Sequence, residues 1–217
     1  MTDVTDGIGA RGIHSYRDLG LVFATQPVLS SPATRRVIGE VPYAHGVLEF
    51  TQAYGQPYKS TRTLECAWEI TAPGPDELEA KRSEVENWLG RIVDEDITYD
   101  NALEGYHLHG TCSSVEVEYE EYGDKLTLTA SFELYPFQVA DTVYTQLLQI
   151  GTTTVHNGGW PVRLTATPKG NKATIQIGSM SQTITARTEL SIPFESGDNS
   201  IVVADGAVTL EWTEERI

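Results

Sequence analysis

The sequence predicts a mainly β protein: a β-sandwich carrying one α-helix, followed by a smaller antiparallel β-sandwich. Three observations predict it. Apolar and polar residues alternate with a period of two in several segments. Only one stretch repeats its apolar residues at helical spacing. Beyond residue 141, short apolar segments follow one another between Gly, Asn, Asp and Pro, the spacing of a small sandwich. The expected domains are therefore 1–140 and 141–217.

The first apolar segment, Leu19 to Ala24, ends where Pro27 and the Ser30-Ser-Pro32 cluster mark a loop, and predicts a buried strand. Arg35 to Val41 predicts a second strand, stopped by Pro42. The stretch through Gly46, Gly55 and Pro57 is rich in turn residues and aromatics and predicts an extended excursion. Thr61 to Ile70 sets Leu64, Cys66 or Ala67, Trp68 and Ile70 against Thr63, Glu65 and Glu69, as a half-buried strand requires. A helix follows. Pro73-Gly-Pro75 sets its start, Asp76 and Glu77 complement the positive end of its dipole, Leu78, Val85, Trp88, Leu89 and Ile92 repeat at helical spacing, and Gly90 is the candidate for its end.

Beyond the helix the spacing predicts strands at Tyr106–Cys112, Val115–Tyr119 and Lys125–Leu134, the last two forming a hairpin around Glu121-Tyr-Gly-Asp124. Val115, Val117 and Tyr119 share one face and Glu116, Glu118 and Glu120 the other, while Leu126 through Leu134 supply a matching apolar face. In the second domain, strands are expected at 144–150, 161–167, 173–177, 182–186, 189–192, 200–203 and 207–212.

Composition narrows the function classes. The chain has 217 residues, 40% hydrophobic and 21% charged, the range of a folded globular protein. Its 15 Lys and Arg stand against 31 Asp and Glu, a net charge of −16, so its surface repels phosphates and specific nucleic-acid binding is not expected. Cys66 and Cys112 form no zinc-type spacing or disulfide framework and are expected to be reduced and buried. No stretch approaches the ~20 apolar residues of a membrane span, so no membrane partner is expected. Residues 1–11 lack the apolar core of a secretory leader, which places the chain in the cytosol unless it leaves within a particle.

His107 and His109 share a strand face and could reach one metal, but Cys112 lies an odd number of residues away and points to the other side. Asp94, Glu95, Asp96 and Asp100 gather oxygen ligands without the spacing of a calcium loop, and a solvated acidic loop accounts for them. No nucleophile elbow, zinc-protease helix or phosphate-binding loop occurs, and Gly178-Ser-Met-Ser181 fits a turn between strands. No catalytic residue, metal or cofactor is therefore assigned. The Glu116, Glu118, Glu120 stripe fits a wet sheet face or, as the sharper alternative, the wall of a channel that repels DNA. Tyr43, Phe50, Tyr54 and Tyr58 fit either packing onto their own domain or contact between subunits.

The order of elements carries a resemblance. Gly12-Ile-His-Ser with Asp18-Leu-Gly-Leu-Val22, Val41-Pro-Tyr-Ala-His-Gly-Val-Leu-Glu-Phe50, Tyr54-Gly55 and Arg62-Thr-Leu look like the amino-terminal domain of siphophage distal tail (Dit) proteins. The hairpin ending Phe132-Glu-Leu-Tyr-Pro136, the stretch Asn157-Gly-Gly-Trp-Pro-Val162 and Gly197-Asp-Asn-Ser-Ile201 are similar to the same family. Where many relatives read Pro-Gly-Arg-Asp-Gly, this chain reads Pro42-Tyr-Ala-His-Gly46. The resemblance implies a structural virion protein whose first domain closes into a homohexameric ring and whose second is a galectin-like sandwich. Its implied partners are further copies of itself, the tail tube protein, the tail-tip hub or tail-associated protein, and receptor-binding proteins. The implied location is the phage tail tip, with assembly in the host cytoplasm. Two alternatives remain at this level: a carbohydrate-binding module stacking a sugar on Trp160 or Trp212, and a major tail tube protein.

Overall fold

The structure, a computed structural model, describes residues 6–36, 38–39, 48–49, 57–120 and 125–217. The chain divides into two compact units, Met1–Phe137 and Gln138–Ile217. The mainly β class, with a single helix among the described residues, is what the structure has.

The first unit opens with short strands: β1 (Ile8–Ala10), β2 (Ile13–His14), β3 (Val22–Phe23), β4 (Val28–Leu29), β5 (Ile38–Gly39) and β6 (Leu48–Glu49). The longer elements follow: β7 (Arg62–Thr71), α1 (Pro75–Leu89), β8 (Glu95–Tyr99), β9 (Tyr106–Tyr119) and β10 (Lys125–Leu134). Along β7 burial alternates strictly at its start, sending Arg62, Leu64, Cys66, Trp68 and Ile70 inward and Thr63, Glu65 and Glu69 outward. β10 pairs antiparallel with β7 on one side and β9 on the other, and β9 continues to β8 and β1.

One helix rests against this sheet. Gly74 is its N-cap, Pro75 its first residue, and the backbone N–H of Gly90 donates to the Glu86 carbonyl at 2.8 Å where it ends. Leu78, Val85, Trp88 and Leu89 are buried and join Trp68, Leu128 and Phe132 in one core. The Trp88 indole N–H donates to the Ala10 carbonyl at 3.2 Å, so the helix also fixes β1. Each such large side chain contributes roughly 1.5–3 kcal/mol by leaving water.

Several elements differ from expectation. The strand expected at Leu19–Ala24 shortens to Val22–Phe23, since the chain leaves the sheet at Gly20, whose φ is 63°. The two strands expected at Tyr106–Cys112 and Val115–Tyr119 are one continuous β9, with a register shift opposite Ser131 and Phe132. The acidic loop expected around residues 94–96 is a turn at Asp94 leading into β8. The hairpin turn at residues 121–124 and most of the segment 35–56 lie outside the described residues.

The second unit holds β11 (Gln138–Leu148), β12 (Gly151–Asn157), β13 (Val162–Pro168), β14 (Ala173–Ile177), β15 (Met180–Ile184), β16 (Thr188–Phe194), β17 (Gly197–Asp205) and β18 (Val208–Arg216). One antiparallel sheet runs β16-β13-β18-β11 and the other β12-β17-β14-β15. Their inner faces meet in a core of Leu164, Ile175, Leu190, Phe194, Ile201, Val203 and Leu210. Gly178 takes φ 58° in the tight turn between β14 and β15, the conformation such a turn reserves for glycine.

Candidate functional site

The outer face of the β7-β10-β9 sheet collects carboxylates. Register sets Glu118 beside Thr127 and Glu69, and Glu116 beside Thr129 and Ala67, with Glu65 lower on β7. Glu116, Glu118, Glu65 and Glu69 are all exposed, because the opposite face of each strand is committed to the core. Lys125 partly neutralises one end of this face: its Nζ lies 2.8 Å from Glu69 and 3.1 Å from Glu120. The hydrogen bond to Glu69, then that to Glu120, holds its pKa above the ordinary lysine value. The stripe is thus a band of acidic side chains interleaved with threonines, open at Glu116 and Glu118 and clamped at Glu120.

Of the aromatic quartet, Tyr43, Phe50 and Tyr54 lie outside the described residues. Tyr58 is 58% exposed. Its carbonyl accepts from the Arg35 N–H at 2.8 Å, so the segment carrying it is fixed to the edge of the sheet.

The histidine pair does share a face. His109 sets Nδ1 2.8 Å from Asp96 and Nε2 3.0 Å from Asp94, and His107 lies 3.5 Å from the same Asp96 carboxylate. Asp94 reaches the ring because its backbone adopts φ 55°, a conformation Asp tolerates at turns. The bond to Asp96 first, then that to Asp94, raises the His109 pKa. Cys112 packs on the other side against the core. Among the described residues, no group of three or more His, Cys, Asp or Glu side chains is arranged to hold a metal. Two carboxylates around one imidazole make a charge-assisted clamp between β8 and β9.

Both cysteines are free thiols. Burial pushes Cys66 up to about 12, leaving it unreactive.

Sequence reasoning missed two polar sites in the first unit. His14 is buried: its Nδ1 accepts the backbone N–H groups of Tyr16 at 3.2 Å and Arg17 at 3.1 Å, which puts the ring proton on Nε2, 3.0 Å from Asp100. Asp100 also accepts the Gly7 N–H at 3.0 Å, and Asp18 accepts that of His14 at 2.7 Å. These bonds tie the amino-terminal strands to the end of β8. In the sequence only Gly12-Ile-His-Ser marks this place, through the resemblance it carries and not through its chemistry. The second missed site is Arg62, 3% exposed, whose Nε and Nη2 are buried without a hydrogen-bond partner. It occupies an inward position of β7, where a cation stands out against the apolar period.

In the second unit, Trp212 is 7% exposed, stacked on Tyr144 at 5.6 Å between ring centroids and edge-on to Phe194 at 5.3 Å. A ring packed on both partners presents no open face to a sugar. Trp160 is partly buried in a loop held by its backbone: its N–H donates to the Glu215 carbonyl at 2.6 Å, and its carbonyl accepts from the Asn157 side chain at 2.9 Å. Gly159 is required there, because a Cβ would lie 2.5 Å from the Glu215 carbonyl oxygen.

No protein-family model and no curated protein sequence matches the chain. Solved structures do. The fold, a strand-rich first unit with one helix among the described residues followed by a two-sheet sandwich, is shared with a solved phage protein. It matches the crystal structure of the Dit protein of phage SPP1 with a TM-score of 0.71 at 12% identity, covering 98% of this chain and 99% of that one. That protein is described as a paradigm of the hub adsorption apparatus in phages that infect Gram-positive bacteria. Two structures of the phage p2 baseplate in its activated conformation, with strontium and with calcium, match at TM-scores of 0.44 and 0.40 and identities of 9% and 10%. The first covers 98% of this chain and 99% of the other, the second 98% and 97%. The Dit-like fold that the sequence resemblance implies is therefore the fold the chain has.

Proposed function

We propose that this chain is a structural component of a phage tail tip, a distal tail ring that joins the tail tube to the host-adhesion apparatus and leaves a central channel for DNA. The observation that carries this proposal is the fold likeness to SPP1 Dit, which spans both chains almost end to end and so includes both units. The ring is a homohexamer built from the first unit, and the galectin-like second unit faces outward. Tail tube protein meets one side of it, and the tail-tip hub or tail-associated protein and receptor-binding proteins meet the other. The virion is its destination, after assembly in the host cytoplasm. It acts by shape and contact, without catalysis.

The Glu116, Glu118, Glu120 stripe suits the channel wall. Carboxylates spaced by threonines repel a passing duplex, which then adheres nowhere along the wall. Tyr58 suits the subunit contact, since a large exposed ring gains most by being covered.

Native mass by light scattering across a concentration series, with negative-stain images of the same sample, tests the proposal. A closed, hexamer-sized ring with a central hole supports it. Long tubes of stacked rings favour a tail tube protein instead, because closure or stacking depends on whether ring faces are self-complementary. A monomer at every concentration counts against self-assembly.

A further inference from the structure

A sheet edge presents a row of unpaired backbone N–H and C=O groups, and native chains protect such edges with proline, charge, irregular pairing or a covering element. Two edge strands of the second unit carry these devices. β16, at the end of its sheet, contains Glu189 and Pro193 and pairs with β13 through a register shift. β15 is five residues long, and its Gln182 side chain accepts the Ser191 backbone N–H of β16. β12 has none of them. It ends the order β12-β17-β14-β15 and pairs with β17 in unbroken register over the whole of Gly151–Asn157. Among the described residues no strand pairs with its other side. It contains no proline and no Asp, Glu, Lys or Arg, and Thr152, Thr154 and His156 on its outer face are all exposed.

Charge and register say what fits this edge. Unpaired backbone groups select an extended strand, since only a strand meets them at every second residue. A charged strand finds no counter-charge on β12, whereas a second β12 meets no repulsion there. The carboxylate across from the strand, Asp198, is already paired with His156 at 2.7 Å. The second unit as a whole carries only −3 (5 − 8) of the net −16. Two antiparallel copies in full overlap set Thr154 opposite Thr154, Thr152 opposite His156 and Thr153 opposite Val155. Every such pair shares a face, so outer side chains meet outer ones and inner meet inner. Threonine directly opposite threonine is a favourable cross-strand pair.

We propose that β12 is a docking edge for β12 of a second copy of this chain, which joins the β12-β17-β14-β15 sheets of the two copies into one continuous antiparallel sheet about a two-fold axis at Thr154. The contact is isologous and closes at two copies, so it differs from the head-to-tail contact that generates a ring. It goes beyond the ring proposed above and does not depend on it. Between single chains it makes dimers; between rings it ties a second unit of one ring to a second unit of another.

The test uses the full-length chain and three substitutions at exposed positions, T154K, T154C and T152C. T154K sets two ammonium groups directly opposite each other across the axis. At an unchanged melting temperature, its mass by light scattering should be half that of the wild type or less wherever the wild type is paired. Equal masses at every concentration overturn the inference, whether both are monomers or both are rings, and leave the ring proposal to its own test. Directly opposed residues bring their Cβ atoms to about 4.5–5.5 Å, near enough for a disulfide after a small shift. Under mild oxidation T154C should therefore form a linked dimer on non-reducing gels at least about tenfold faster than T152C, which faces His156 of the second copy. The wild type, with Cys66 buried and Cys112 half-buried, sets the background. Equal rates for the two cysteine variants, or no linked dimer above background, overturn the pairing even if T154K folds poorly.

Discussion

His14 is 8% exposed and both its ring nitrogens are engaged, one accepting two backbone N–H groups and the other facing Asp100. His14→Ala leaves those groups and a carboxylate oxygen without the ring, so it should lower stability by about 1–3 kcal/mol. A fall in the urea midpoint at constant slope reads this directly, and an unchanged midpoint would mean that water replaces the ring. His109 makes a different kind of contact, since both nitrogens face carboxylates and both donate only when the ring is charged. Its folded pKa is raised, chiefly by Asp96, so its contribution is fully present below the ring's ordinary value of about 6.5 and is lost as pH rises through the raised folded value. The clamp is partly exposed and contributes under about 1 kcal/mol. The wild type should therefore exceed His109→Gln in urea midpoint more clearly at pH of about 6 than at pH of about 9. Equal differences at both would show that the clamp acts through shape rather than charge.

The pairing of β9 with β10 depends on a missing side chain. A Cβ on Gly110 would collide with the Glu133 carbonyl oxygen and lie 2.9 Å from the Leu134 Cα, both backbone atoms that cannot swing aside. Gly110→Ala should therefore destabilise the first unit by about 1–3 kcal/mol, measurable as a lower melting temperature, and a neutral result would mean that the sheet can open there. The same sheet shows what a sequence can reveal. β7, β10 and the second half of β9 were legible because one face is buried and the other wet, so every second residue reports its side. α1 was legible from its Gly-Pro start and its buried Leu78, Val85, Trp88 and Leu89. β8 was not, since its five residues bury only Ile97 fully and the charges at Glu95 and Asp96 look like a loop. β12 was missed for a related reason: Thr152, Thr153 and Thr154 give it no contrast between faces. β9 looked like two strands because its irregularity near Cys112 shifts the phase of the alternation. Of the candidate sites, the acidic stripe followed from alternation, whereas His14 and Arg62 were hidden because an inward polar residue looks like an error in the pattern.

Charge acts on the whole chain as well as on its contacts. With 31 acidic and 15 basic side chains, the folded chain confines an excess of negative charge that the unfolded chain spreads out, so self-repulsion opposes compaction. Salt acts on this unevenly. At 0.1 M ionic strength, charges more than about 10 Å apart are largely screened, while pairs in direct contact lose much less. Most of the ion pairs are such contacts, including Lys172 with Asp205 and Arg187 with Glu211, and exposed pairs contribute little to begin with. The repulsion that salt removes therefore outweighs the attraction it removes, and the melting temperature of the dilute chain should rise between roughly 20 mM and 0.5 M sodium chloride. A melting temperature that falls with salt would instead show that the local pairs, and not the net charge, govern how tightly the chain is folded.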